Sequence, residues 1–176
     1  MWALPYGRGS DYKYYGVTLV LREKIMTKVK LIALIFVLLL ITACKPKPDA
    51  IDSNGNKIYL SDYQGKWLVI NYWATWCKPC LTELPDLNAL YNNHANQVMV
   101  FGMSFDALSN AEIQQFAKKL SINFPMLQIF PIGNYGITNI SALPVTFLIS
   151  PQGRLVKTLH GPQTQTSLLT NMGLSL

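Results

Sequence analysis

The sequence is short of charge: Asp, Glu, Lys and Arg make up 14% of its 176 residues, with 9 acidic side chains against 15 basic ones. Half of it is hydrophobic, which excludes a wholly disordered chain and allows one domain with a sizeable core. No apolar run is long enough to span a bilayer. The longest, Leu31 to Ile41, holds 11 residues, where a spanning helix needs about 20. Repeats and low-complexity tracts are absent. The net charge of +6 is concentrated at the start, with +4 in residues 1–43 and +2 in the remainder. No basic stripe with interleaved aromatics follows, so nucleic acid is excluded as a partner. Histidine is scarce, and neither His94 nor His160 follows a cysteine pair; Leu81 in that place excludes covalent haem attachment. A structural zinc site lacks ligands at suitable spacing, so no metal is expected. Cysteine is scarce too, limited to Cys44, Cys77 and Cys80.

Two of those cysteines stand in the stretch around which the chain is organised, Asn71-Tyr72-Trp73-Ala74-Thr75-Trp76-Cys77-Lys78-Pro79-Cys80. The apolar run Trp67-Leu68-Val69-Ile70 before it, bounded by Gly65-Lys66, predicts a buried strand. After it, Leu81, Leu84, Leu87, Leu90 and Tyr91 recur at helical spacing and predict a helix over 78–92, bent at Pro85. Cysteines at i and i+3 can meet in a disulfide, and the first sits at the helix N-terminus. Unpaired N–H groups and the helix dipole there favour thiolate over thiol, so Cys77 is the expected nucleophile. A Cys-x-x-Cys at a strand-to-helix junction reads as a redox dithiol.

The third cysteine closes a leader. Lys28 and Lys30 precede the apolar run, which ends in Ile41-Thr42-Ala43-Cys44. A basic start, a short apolar run and small residues make a secretory signal. The last four residues resemble a bacterial lipobox, which implies lipidation of Cys44 and cleavage before it. Two or three acyl chains suffice for stable anchoring; the alternative is a plain thiol at the end of an uncleaved anchor. The reading divides the chain into an extension over 1–25 of no signal character, a signal peptide over 26–43, the lipidated cysteine and a Lys-Pro linker over 44–49, and a folded domain over 50–176. Synthesis starting at Met26 would make the extension a misassignment.

Within the domain, Asn54-Gly55 between Ile51 and Leu60 predicts a hairpin. Residues 97–104 and 143–150 read as further buried strands. Ser109 is a candidate N-cap for a helix over 110–120. Residues 124–137 are irregular, with at most a short strand and a helical turn. Pro151-Gln152-Gly153-Arg154 turns into a strand over 155–159, and a helix over 164–172 ends the chain. The expected class is α/β: a mixed central sheet covered on both faces and flanked by helices, with an added N-terminal β-hairpin.

That order, with Trp-Cys-x-Pro-Cys, resembles the thioredoxin superfamily, and more specifically its TlpA/ResA-like membrane-tethered thiol–disulfide oxidoreductases. The match is carried by residues 60–66, 71–80, Phe124-Pro125-Met126-Leu127, Leu143-Pro144-Val145-Thr146-Phe147-Leu148-Ile149 and Gly153-Arg154, and covers about residues 50–172. The resemblance implies that Cys77 attacks a substrate disulfide and that Cys80 resolves the mixed disulfide. Pro144 matches the family's cis-proline, which leaves the backbone of Leu143 free to pair with an extended substrate. Trp76, Lys78 and Pro79 join Leu143 at the substrate-binding surface. Trp73, nearer the strand, is expected to be packing. The resemblance implies no cofactor beyond the redox-active disulfide.

The family likeness also departs in places. Many thioredoxins carry a buried acid in the central strand where this chain has Asn71, a neutral amide that cannot take the resolving cysteine's proton. Glu83, three residues after Cys80 on the same helical face, matches a glutamate of ResA-like members. It either tunes or deprotonates Cys80, or is a helical glutamate facing solvent. The implied role is a reductase of disulfides in cysteine-containing envelope proteins, as in cytochrome c maturation, fed electrons by a membrane thiol carrier. Two alternatives share the fold: a copper chaperone, for which the Cys-x-x-x-Cys spacing is missing, and a disulfide-donating oxidase. A peroxidase would need a Thr-x-x-Cys context, which is absent.

Overall fold

The computed structural model describes residues 22–36, 47–137 and 139–175. The chain divides into two units, Met1–Lys47 and Pro48–Leu176. In the first, residues 22–36 form a helix, α1. Among the described residues no helix is long and apolar enough to cross a membrane. Cys44, the end of the expected signal peptide and most of the expected extension lie outside the described residues.

The second unit is built on one sheet. A hairpin of β1 (Ala50–Asp52) and β2 (Lys57–Ile58) opens it, closed as Asn54-Gly55 predicts. Asp52 holds the turn: its carboxylate accepts from the Asn54 and Asn56 N–H groups at 2.9 and 2.8 Å and from Asn56 Nδ2 at 2.8 Å. Gly55 supplies the positive φ, 84°, that a side chain would resist. A 3₁₀ turn, Leu60–Tyr63, leads into the central strand β3 (Trp67–Trp73), then helix α2 (Lys78–Asn93) and strand β4 (Val98–Ser104). Helix α3 (Asn110–Lys119) starts at Ser109, which forms a reciprocal capping box with Glu112. Strand β5 (Met126–Ile129), a 3₁₀ turn at Ile132–Tyr135, the hairpin β6 (Val145–Ile149) and β7 (Leu155–His160), and helix α4 (Gln165–Met172) complete it.

The seven strands run in the order β2-β1-β5-β4-β3-β6-β7. β3 pairs parallel with β4 and β4 with β5, while β6 runs antiparallel to β3. The sheet is mixed, as expected, and the segment read as irregular supplies β5. This strand also receives the hairpin, through antiparallel pairing with β1.

Strand alternation splits the core in two. Val69 and Trp73 of β3, Val98 and Val100 of β4 and Leu148 of β6 face Leu84, Leu87 and Leu90 of α2, Ile113 of α3 and Leu168, Leu169 and Met172 of α4. Leu68, Ile70, Tyr72, Phe101, Phe147 and Ile149 face the other way. There the cover is not α-helical. Leu60 and Tyr63 of the first 3₁₀ turn, Ile132 and Tyr135 of the second, and Phe130, Ile137 and Ile140 around it close that core. The three helices of this unit therefore share one face, where the sequence predicted a sheet flanked by helices without assigning them to sides. Gly102 allows the close approach on the helical face: a Cβ there would collide with the Met126 sulfur and stand 3.0 Å from the Phe124 ring.

Candidate active site

β3 delivers its C-terminal end to the start of α2, and the dithiol lies on that junction. Cys77 is the N-cap of α2, with extended backbone, and its Sγ accepts from the Cys80 N–H at 3.3 Å. Pro79 falls in the first turn, where a missing N–H leaves no helical bond unmade. Cys77 and Cys80 are joined in a disulfide with their Cα atoms 5.3 Å apart. Cys77 is 5% exposed and Cys80 0%, so only the first presents surface to an incoming sulfur. Lys78 and Pro79 are exposed beside it.

One helical turn after Cys80 on α2, Glu83 does not face solvent. It is 2% exposed and turned into the helical face of the sheet. One carboxylate oxygen, Oε1, accepts from Asn71 Nδ2 at 2.8 Å, and the other, Oε2, from the Gln163 backbone N–H at 2.8 Å. Asn71 Nδ2 also donates to Thr146 Oγ1 at 3.0 Å, its direct partner across β3 and β6. Burial pushes the Glu83 carboxyl up to about 7; the bonds from Gln163 and Asn71 oppose that shift, and nearby Asp86 adds to it. The amide on the central strand thus holds a buried acid that comes from the helix.

Trp76 is 68% exposed, yet it is tied down. Its Nε1 donates to Asp106 Oδ1 at 2.8 Å, while Asp106 Oδ2 accepts from the Thr75 N–H at 2.7 Å. Asp106 reaches this point because β4 ends beside β3, with the Phe105 N–H bonded to the Trp73 carbonyl at 2.8 Å. Trp73 is fully buried in the core. On the other side, the Leu143–Pro144 bond is cis; Pro144 is buried and Leu143 partly so. The Pro144 carbonyl accepts from the Gly161 N–H at 2.9 Å.

Sequence reasoning singled out Cys77, Cys80, Glu83 and Pro144, but not Asp106, Thr146 or Gln163. Asp106 lies 30 residues from Trp76 and Gln163 80 from Glu83, and side-chain pattern carries no trace of such contacts. The parallel neighbours β3 and β4 were the one available signal, since their ends had to meet. His94 sits at the C-cap of α2, the far end from the dithiol, and His160 ends β7. Among the described residues no group of three or more His, Cys, Asp or Glu is placed to hold a metal.

A mixed sheet with a disulfide at the N-terminus of its central helix defines a thioredoxin-like thiol–disulfide oxidoreductase. The chain belongs to the AhpC/TSA family, whose sequence model matches residues 41–158. Over 123 residues it is 33% identical to the thiol-disulfide oxidoreductase ResA of Bacillus subtilis, covering 70% of this chain and 69% of that protein. Among solved structures, the exposed lipoprotein thioredoxin Etrx1 of Streptococcus pneumoniae superposes with a TM-score of 0.59 at 27% identity, over 70% of this chain and 96% of that one. StoA of Bacillus subtilis shares the fold with a TM-score of 0.57 at 22% identity, over 72% and 98%.

Proposed function

We propose that this oxidoreductase is a reductase of protein disulfides in the cell envelope, held at the membrane through a lipid on Cys44. The observation that carries it is the asymmetric dithiol, Cys77 reachable at a helix cap and Cys80 sealed one helical turn before an ionisable Glu83. The helix N-terminus favours the Cys77 thiolate. Its sulfur attacks a substrate disulfide, forming a mixed disulfide and releasing one substrate thiolate, which takes a proton from solvent. Glu83 accepts the Cys80 proton. The Cys80 sulfur then attacks Cys77 Sγ, the Cys77–Cys80 bond forms, and the second substrate thiolate leaves and is protonated. The substrate gains two electrons, the dithiol loses them, and a membrane dithiol carrier returns them by the reverse exchange.

Electrostatics supports this direction. Strong dithiol oxidants are those whose reduced form is stabilised. A carboxylate one helical turn after Cys80 opposes a thiolate there and so supports the reductant direction, against the opposite pull of the helix N-terminus on Cys77. Pro144 and Leu143 form one wall of the substrate site, and Trp76, Lys78 and Pro79 the other. The basic, apolar leader ending at Cys44 supports an extracytoplasmic place, and the solved relative from Streptococcus pneumoniae is itself described as an exposed lipoprotein. Apocytochrome c is one substrate of the required kind. No cofactor besides the disulfide is needed.

Equilibrating the domain against glutathione and dithiothreitol buffers tests the direction. A potential near roughly −270 mV fits the reductase, and one near roughly −120 mV assigns a disulfide donor instead. Slow insulin reduction with stoichiometric Cu(I) retention would replace both by a copper chaperone.

A further inference from the structure

The bonding of Asn71 contains an imbalance. Its side chain is 0% exposed, both Nδ2 protons are used, on Glu83 Oε1 and Thr146 Oγ1, and its Oδ1 has no partner among the described residues. A buried carbonyl oxygen without a donor destabilises a fold, and such atoms are rare enough to require a reason. Turning the amide half a turn would bring Oδ1 against the carboxylate oxygen of Glu83, acceptor against acceptor. The orientation present favours the ionised acid over the satisfaction of the amide.

We propose that Asn71 is a positioning residue for the thiol–disulfide exchange: anchored on Thr146, it fixes Glu83 one helical turn after Cys80 and sets the pH at which that carboxyl can take the Cys80 proton. This rests on the reading of Glu83 as the proton acceptor. The groups around Glu83 leave the amide this influence. On α2 the charged neighbour is Asp86, and Cys80, disulfide-bonded here, lies one helical turn before Glu83; β3 and β6 present the neutral Asn71 and Thr146, and the β7–α4 connection presents the Gln163 N–H. A hydrogen bond to the ionised form lowers a carboxyl pKa, so removing the Asn71 donor raises it.

The test follows the second step of oxidation of the reduced domain by oxidised glutathione, the release of the second glutathione thiol, against pH. Wild type, Asn71→Ala, Glu83→Gln and the double variant are compared. Glu83→Gln is expected to abolish the inflection near neutral pH, and Asn71→Ala to move it up by about one pH unit. The double variant should match Glu83→Gln alone. If Asn71→Ala leaves the midpoint in place while Glu83→Gln abolishes it, Asn71 is merely structural and the proposal fails with the Glu83 reading intact. If Glu83→Gln changes nothing, the Glu83 reading falls and takes this proposal with it. Should Asn71→Ala not fold, the near-isosteric Thr146→Val frees the amide from its anchor; an upward shift supports the proposal, and an unmoved midpoint overturns it.

Discussion

Glu83 shows how far a single residue's chemistry depends on its neighbours. On an exposed helix it would titrate in the ordinary carboxylate range, but in the core it has burial against it and two N–H donors for it, and burial prevails. The linkage sign follows. The folded state holds the proton more tightly than the unfolded chain, so the contribution of Glu83 to stability is fully present below about pH 4.5 and is lost as pH rises to about 7, where the carboxyl ionises. The loss is up to about 3 kcal/mol. Urea unfolding of the oxidised domain at pH 5 and pH 8 should show this fall in the wild type and a smaller one in Glu83→Gln; equal slopes in both would place the carboxyl in water. The spacing after Cys80 made Glu83 legible as a candidate, but not its burial. The residues that bury and bind it come from β3, β6 and the β7–α4 connection, far apart in sequence.

At the scale of elements, legibility tracked how local the determinants are. Ser109 was readable as a cap because the capping box is written within four residues, and it is present. Replacing it by alanine should cost about 1 kcal/mol, read as a lower denaturation midpoint at unchanged slope, with the dithiol's reactivity unaffected. β3, β4 and β6 were readable from their apolar runs and the turn residues bounding them. β5 was readable only as a short strand within an irregular segment, because Met126–Ile129 follows Phe124-Pro125 and is short; its place in the sheet comes from pairing with β4 and β1. The non-helical cover of the second core face was hidden for a related reason. Ile132, Tyr135, Ile137 and Ile140 bury apolar groups without helical or strand periodicity. The β7–α4 connection and the first residue of α4 gained their importance only in three dimensions: Gly161 bonds the Pro144 carbonyl, Gln163 bonds Glu83 and Gln165 bonds Asp86. One short connection thus braces both the cis-proline segment and the helix that carries the dithiol.

For the whole molecule, the parallel order β5-β4-β3 carries the C-terminal ends of three strands to one edge of the sheet, and the dithiol, Asp106 and the exposed Trp76 gather there. This is the general place for a site in a sheet of this kind, outside the carboxyl ends of the strands. The antiparallel β6 brings its first residues to the same edge, which puts Pro144 and Leu143 beside the end of β3. The central claim is that Cys77 attacks and Cys80 resolves. The most direct measurement is mass spectrometry, after reaction with oxidised glutathione, of single-cysteine variants of the domain over residues 50–176, which lacks Cys44. Cys80→Ser should accumulate one stable glutathione on Cys77 within the time the wild type becomes fully oxidised, while Cys77→Ser should remain unmodified. Rapid glutathionylation of Cys80 in Cys77→Ser, with Cys77 inert in the other variant, would reverse the roles and contradict the account.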